Sequence, residues 1–225
     1  PVYLAVIGAV FFGWLIGLVN GWIITKTKIA SFVITLGSMA IIRGFALLYA
    51  NGRPIFGLKE SARWLGQSYV GPVPLMVILF VLIVSISAVI LKMTKTGRFV
   101  YSIGGNEEAS YLAGIKVSLY KTLSFGIAGL TAGFGGVLLT SRLGSGDPIA
   151  AQGYEFDVIG AVVIGGTSLK GGSGSVIGTL FGALLLGILT NGMNLLGVNP
   201  YWQQISKGFI IIVAVLIDRQ RQKKL

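Results

Sequence analysis

Four side-chain amides stand within or beside the apolar stretches of the chain and are well suited to hold an uncharged polar solute. They are Asn191, Asn194, Gln203 and Gln204. Each amide offers a hydrogen-bond donor and an acceptor together, which suits a solute rich in hydroxyl groups. Asn191 and Asn194 share one face of a helix because they are three residues apart. We expect these four residues to line a solute pathway, and hydrogen bonding between helices is an open alternative for the two asparagines.

Two glycine-rich stretches resemble phosphate-binding or catalytic motifs, but each lacks a residue that the chemistry requires. In Gly165–Gly171 the lysine precedes a glycine, whereas a phosphate loop needs a lysine followed by serine or threonine. Gly171–Gly174 holds a serine in the setting of an intramembrane protease nucleophile, but the chain has no histidine to act as its base. A tight turn permitted by glycine is the preferred interpretation. We therefore expect neither a nucleotide site nor an enzyme.

The composition is that of a helical membrane protein. Of 225 residues, 54% are hydrophobic and 11% are charged, whereas roughly a quarter of a soluble domain is charged. Glycine contributes 34 residues, which suits closely packed transmembrane helices. The chain contains no cysteine and no histidine, so thiolate and imidazole ligands are missing and we expect no metal site. We predict an all-α, polytopic transmembrane helix bundle.

Hydrophobic runs predict about seven membrane segments within residues 1–225, which we take as one transmembrane domain. A crossing needs about 20 residues for roughly 30 Å of hydrocarbon. Val158–Gly166 has about half that length, so we expect a tilted or broken helix there. Because the chain begins at Pro1 inside an apolar run, we expect it to be the C-terminal part of a longer protein. The other six runs are Val2–Thr25, Ala30–Ala50, Val73–Leu91, Thr122–Ser141, Ser175–Val198 and Ile205–Ile217.

The distribution of basic residues predicts the orientation of these segments. If all seven runs cross, twelve Lys and Arg residues share one face and four share the other. The face with more basic residues is the cytoplasmic side, so the C-terminus is predicted to be cytoplasmic. The net charge of +11 is therefore explained by membrane orientation rather than by nucleic-acid binding. The twelve are Lys26, Lys28, Lys92, Lys95, Arg98, Lys116, Lys121, Lys170, Arg219, Arg221, Lys223 and Lys224, and the four are Arg53, Lys59, Arg63 and Arg142.

Glycines spaced four residues apart predict where helices pack closely. This spacing places small residues on one helix face, where two backbones can approach each other. We assign these positions to packing and to no chemistry. They are Gly13, Gly17 and Gly21, then Gly129 and Gly133, then Gly178 and Gly182.

One long polar segment, residues 92–121, is predicted to be a cytoplasmic loop that another protein grips. Within it Glu108–Gly114 is typical of a short helix that begins with acidic residues and ends at a glycine. On the opposite face, Asp147, Glu155 and Asp157 lie in the predicted external loop. Asp157 is expected to cap a helix, and Asp147 and Glu155 either are solvated loop charges or dock a soluble partner that delivers solute.

Several sequence blocks in and after the polar segment form a recognisable set. They are Thr96–Arg98, Tyr101–Ala109, Ala113–Ile115, Gly153–Glu155, Ala161–Leu169, Gly171–Gly172, Asn191–Val198 and Lys207–Gly208. The set resembles the ribose/xylose/galactose-type ABC transporter permeases of bacteria, in family order and over most of Ala30–Asp218. Glu108–Gly114 is similar to the EAA-xxx-G motif of ABC permeases, with serine in place of the second alanine.

The resemblance implies a subunit of an importer in the bacterial inner membrane, surrounded by lipid. A second permease subunit, identical or paralogous, would complete the pathway, and a periplasmic binding protein would deliver a sugar. A separate subunit would hydrolyse ATP with magnesium, so this chain itself would bind no cofactor. The residues implied to couple to that subunit are Gly105, Asn106, Glu107, Glu108, Ala109, Ser110 and Gly114. The particular pentose, hexose or sugar-like solute stays open.

Three other classes of membrane protein fit the sequence less well. A secondary transporter usually holds a carboxylate within the membrane, and none of the seven acidic residues lies centrally in an apolar run. A passive channel for small polar solutes needs no coupling segment. An intramembrane enzyme needs a base and a nucleophile that the chain does not provide.

Overall fold

The structure is a computed structural model that describes residues 1–27 and 29–222, with side chains through residue 216. In this part of the chain there are ten α-helices and one antiparallel hairpin of two short strands. The helices are α1 Val2–Thr27, α2 Ser31–Ala50, α3 Glu60–Gln67, α4 Leu75–Met93, α5 Lys95–Gly105, α6 Glu107–Leu112, α7 Val117–Leu143, α8 Tyr154–Ile164, α9 Val176–Leu195 and α10 Pro200–Gln222, and the strands are β1 Tyr69–Val70 and β2 Val73–Pro74.

Five of the described helices are long and apolar enough to cross a membrane, namely α1, α2, α4, α7 and α9. This confirms the prediction of a polytopic helical protein, but the count of seven segments is not confirmed. The predicted run Thr122–Ser141 is the middle of α7, a helix of 27 residues. Lys28, Lys223 and Lys224, which are among the twelve basic residues predicted to be cytoplasmic, lie outside the described residues, as do the side chains of Arg219 and Arg221.

The described chain contains one short β-hairpin beside its helices. The strands β1 and β2 form a hairpin in which Val70 lies opposite Val73. Just before it lies α3, which no apolar run indicated because its sequence, ESARWLGQ, is largely polar. The backbone N–H of Gly66 in α3 donates to Ser141 Oγ at 2.7 Å. This helix is therefore held by the end of α7 rather than by its own composition.

The chain divides into two compact units, and the first contains Pro1–Leu82 and Gly114–Ala150. Its centre is the contact between α1 and α7, where the predicted glycines bring two backbones together. A methyl group at Gly13 would lie 2.5 Å from the carbonyl oxygen of Gly129, and one at Gly17 would overlap the carbonyl group of Phe125. A methyl group at Gly21 would lie 2.7 Å from the Cα atom of Thr122. The packing role predicted for these glycines is confirmed.

The second unit contains Ile83–Ala113 and Ala151–Leu225. Here α8 packs against α9 and α10, and its buried residues include Gly160, Ala161 and Val163. A methyl group at Gly182 of α9 would overlap the carbonyl oxygen of Ala161, so the two backbones touch directly. The glycine spacing in α9 thus also predicted a helix contact correctly.

Candidate functional site

The polar segment of the second unit folds as two short helices, α5 and α6, which meet at Asn106. The side chain of Asn106 caps α6, because its Oδ1 atom accepts from the N–H of Ala109 at 2.9 Å. Glu107 and Glu108 lie in the first turn of α6, where they complement the helix dipole. The left-handed Gly114, with φ of 81°, follows the C-cap and ends the helix. The predicted short helix is confirmed, beginning one residue earlier than expected.

Ser110 has a different setting from the other predicted coupling residues. It is only 3% exposed. Its hydroxyl donates to the Asn106 carbonyl oxygen at 2.8 Å and lies 2.9 Å from the hydroxyl oxygen of Ser102 in α5. Because the single Ser110 proton goes to Asn106, Ser102 is the donor of the second bond. Ser110 therefore fixes α6 on α5, while the exposed members of the set are Gly105, Asn106, Glu107, Glu108, Ala109 and Gly114.

Two large apolar side chains on α6 were missed by sequence reasoning. Tyr111 is 71% exposed and Leu112 is 79% exposed. In a helix of six residues that starts with two glutamates, these side chains form most of the apolar surface. The available sequence signal was the presence of two large apolar residues at the end of a short segment that begins with two glutamates. They extend the candidate coupling surface beyond the predicted residues.

A second missed feature is the contact of α5 with the loop between α8 and α9. The hydroxyl of Tyr101 donates to the carbonyl oxygen of Gly174 at 2.9 Å. At Gly104 a methyl group would overlap the backbone nitrogen of Gly172, so the backbones of α5 and of the loop touch without intervening side chains. Gly171 and Gly172 have φ of 94° and 79°, which confirms the predicted glycine-permitted turn.

Two of the four predicted pathway amides come together at the corner between α9 and α10. Gln203 is 8% exposed, and its Nε2 atom donates to Asn194 Oδ1 at 2.8 Å and to the carbonyl oxygen of Val198 at 2.9 Å. Both amide protons of Gln203 are therefore used within the protein. Asn191 and Gln204 are exposed and take no part in this cluster. The alternative of hydrogen bonding between helices thus holds for Asn194.

An ion pair joins α8 to α10, although the two residues are 50 positions apart in sequence. Lys207 Nζ lies 2.9 Å from Asp157 Oδ2, and their side chains are 22% and 33% exposed. The prediction that Asp157 caps a helix was wrong. The helix begins at Tyr154, so Asp157 lies in its first turn, and Gly153 occupies the N-cap position.

The two acidic residues predicted to dock a soluble partner each bind their own loop. Asp147, in the first unit, accepts from the N–H of Ile149 through Oδ1 at 3.0 Å. Glu155, in the second unit, accepts from the N–H of Gly153 through Oε2 at 3.1 Å. Both side chains are half-buried. These bonds shape the loop backbone, and docking by the two acids stays a prediction.

Comparison with known proteins places the chain in a family. A family model described as "Branched-chain amino acid transport system / permease component" matches residues 1–215. The chain belongs to this permease family. It is also 46% identical over 204 residues to the ribose import permease protein of Bacillus subtilis, which covers 90% of this chain and 63% of that relative. No solved structure matches the chain.

Two permeases of Escherichia coli K12 show the same relationship. The ribose import permease protein is 42% identical over 222 residues, covering 97% of this chain and 69% of the relative. The L-arabinose transport system permease protein is 40% identical over 205 residues, covering 91% and 62%. The chain thus spans roughly two-thirds of the length of these relatives. The resemblance inferred from the sequence blocks is confirmed, and the permease belongs with transporter subunits of the membrane rather than with enzymes.

Proposed function

We propose that this permease forms the membrane pathway of an ATP-driven importer for a sugar or a related hydroxylated solute. Relatives at 40% to 46% identity are named for ribose and arabinose, which supports a sugar as the solute. The observation that carries the proposal is α6, a capped helix that presents Tyr111 and Leu112 outward while Ser110 holds it against α5. A passive channel has no use for such a surface.

The partner of α6 in this proposal is a separate ATP-hydrolysing subunit, which holds ATP and magnesium. Exposed Tyr111 and Leu112 supply apolar area for a groove on that subunit, because burying a large apolar side chain contributes about 1.5–3 kcal/mol. Glu107 and Glu108 add negative charge one helical turn before this area and favour basic residues on the partner. The permease itself supplies binding surface and no cofactor.

The solute pathway is proposed to include the amides at the outer end of α9 and α10. Gln203 and Asn194 are occupied with each other, so they hold the corner in place. Asn191 and Gln204 are exposed and offer their donor and acceptor atoms to solute hydroxyl groups. The pathway is completed by a second permease subunit, identical or paralogous. A periplasmic binding protein delivers the solute, and Asp147 and Glu155 are each proposed to contribute to its docking.

The topology that we propose has seven crossings and a cytoplasmic C-terminus. Besides the five long apolar helices, α8 and α10 enter the membrane. The 11 residues of α8 span about 16 Å at 1.5 Å per residue, so polar loop backbone completes its path inside the protein. The pairing of Asp157 with Lys207 is consistent with this, because a charge near hydrocarbon is tolerated when it has a partner.

Transport by the reconstituted importer tests this function. The complete permease is placed in proteoliposomes with its ATP-hydrolysing subunit and its solute-binding protein, and uptake of labelled ribose, arabinose and xylose is measured. We expect uptake of at least one sugar that requires ATP hydrolysis. Flux that ignores ATP would instead make the protein a channel, and flux that follows a proton or sodium gradient would make it a secondary transporter.

A further inference from the structure

We propose that α5 and the loop between α8 and α9, residues 165–175, form a strut that carries movement of α6 to α8 and α9. Tyr101 and Gly104 are the positioning residues of this strut. The inference rests on the proposed function, in which a partner subunit pushes or pulls on α6. It adds a defined path, through one small set of contacts, by which that movement reaches the membrane helices of the second unit.

The first link of the strut joins α6 to α5. Ser110 is almost fully buried, and its hydroxyl bonds to the Asn106 carbonyl oxygen at 2.8 Å and to the Ser102 hydroxyl at 2.9 Å. The Asn106 side chain bonds in turn to the N–H of Ala109 at 2.9 Å. The Ser102 bond crosses from α5 to α6, and the other two bonds fasten Asn106, the residue between the helices, to the first turn of α6. As a result, α6 cannot rotate on α5 without breaking the Ser102 bond, so a force on α6 reaches α5.

The second link joins α5 to the loop through backbone atoms alone. A methyl group at Gly172 would lie 2.8 Å from the Cα atom of Gly105, and one at Gly171 would lie 3.0 Å from the Cα atom of Gly104. Side chains at a contact can change rotamer and absorb a displacement, but two touching backbones cannot. A shift of α5 toward the loop must therefore move the loop.

The hydrogen bond from Tyr101 makes the same link able to resist separation. Its hydroxyl donates to the Gly174 carbonyl oxygen at 2.9 Å, and the side chain is half-buried. Backbone contact alone transmits movement of α5 toward the loop, but not movement away from it, because little free energy is needed to separate the two surfaces. A hydrogen bond also transmits movement of α5 away from the loop. Tyr101 and Gly104 lie three residues apart, so they present the bond and the close contact on the same side of α5.

The third link joins the loop to α8 and α9. The loop is closed on itself by a hydrogen bond from the N–H of Ser168 to the carbonyl oxygen of Ser173 at 3.0 Å. At its base, a methyl group at Gly165 would lie 2.5 Å from the carbonyl carbon of Gly178, so the end of α8 touches the start of α9. The loop is thus a stiff body attached to both helices.

The strut is tested by how much solute moves per ATP hydrolysed. In the complete importer in proteoliposomes, Gly104→Ala would force α5 away from Gly172, and we expect solute moved per ATP to fall at least tenfold. Tyr101→Phe removes only one hydroxyl, and we expect about a threefold fall. Gly187→Ala, where nothing lies within 4 Å, and Tyr49→Phe, on a side chain 84% exposed, serve as matched controls that keep the wild-type ratio.

The ratio of solute moved to ATP hydrolysed distinguishes transmission of movement by Tyr101 and Gly104 from a role of these residues in assembly alone. A purely structural defect reduces the amount of assembled importer, so uptake and hydrolysis fall together and their ratio is kept. A wild-type ratio in both Gly104→Ala and Tyr101→Phe overturns the strut and leaves the proposed function standing. If Gly104→Ala does not assemble, the ratio measured for Tyr101→Phe decides alone. Absence of ATP-dependent uptake in the wild-type importer overturns the proposed function itself.

Discussion

Lys207 Nζ lies 2.9 Å from Asp157 Oδ2, and this ion pair is a polar connection between α10 and α8. Both residues belong to helices whose other faces are strongly apolar. Tyr201, Trp202, Ile205 and Phe209 on α10 are all exposed. The pair therefore gives α10 a specific rotational setting on α8 that apolar contacts alone do not specify.

Breaking this ion pair is expected to destabilise the second unit. Asp157→Asn or Lys207→Met leaves one half-buried charge without its partner, at a cost of about 1–2 kcal/mol after allowance for solvent screening. Thermal unfolding in detergent measures the loss. The charge-exchanged double variant, Asp157→Lys with Lys207→Asp, should recover part of it. If the double variant is as unstable as the two single variants added together, the pair contributes no coupling energy.

Substitution of the two neighbouring glutamines of α10 is expected to affect different properties, stability for Gln203 and sugar uptake for Gln204. Gln203→Leu leaves the oxygen atoms of Asn194 and Val198 without their donors, which costs about 1–3 kcal/mol of stability. Gln204→Leu removes an exposed amide and should leave the thermal midpoint unchanged while lowering sugar uptake. Equal stability of the two variants would show that the Gln203 bonds do not hold the corner, and unchanged uptake by Gln204→Leu would remove Gln204 from the pathway.

Two glycines of α1 are expected to differ in how much their replacement by alanine destabilises the protein, because only one of them contacts α7. A methyl group at Gly17 overlaps the Phe125 carbonyl group, whereas nothing lies within 4 Å of such a group at Gly8. Gly17→Ala should lower the thermal midpoint because it separates the backbones. Gly8→Ala should leave it unchanged or raise it slightly, since alanine favours the helix by up to about 1 kcal/mol. Equal midpoints would remove Gly17 from the packing contact.

The apolar surface of α6 is expected to carry the affinity for the ATP-hydrolysing subunit. Tyr111→Ser with Leu112→Ser should weaken binding at least tenfold, measured by titrating the purified subunit onto the permease in nanodiscs. The thermal midpoint of the permease should not change, because both side chains are more than two-thirds exposed. Tyr111→Phe is the control and should retain binding. Undiminished binding by the serine double variant would place the contact elsewhere.

Local patterns in the sequence predicted most of the helices and the short helix of the polar segment. Run length identified α1, α2, α4, α7 and α9, because crossing a bilayer requires a long apolar stretch whatever surrounds it. Glycine spacing predicted the close contacts of Gly13 and Gly182 for a similar reason, since only small residues allow them.

Features that depend on distant residues were not predictable in this way. Asp157 and Lys207 lie 50 positions apart, and their pairing follows from how α8 packs on α10. Ser110 was expected to face a partner because motif position says nothing about which side of a helix is already covered. The helix α3 was missed because its stability comes from the end of α7, through Ser141, rather than from an apolar run.

Site-directed crosslinking of α6 tests the central claim most directly. Residues 1–225 contain no cysteine, and any cysteine elsewhere in the complete protein is first replaced by serine. Single cysteines are placed at Ala109, which is exposed, and at the adjacent Ser110, which is buried. Ala109→Cys should crosslink to the ATP-hydrolysing subunit with a yield that changes when nucleotide is added, while Ser110→Cys should crosslink poorly. No crosslink from Ala109→Cys with or without nucleotide would contradict the assignment of α6 as the coupling helix.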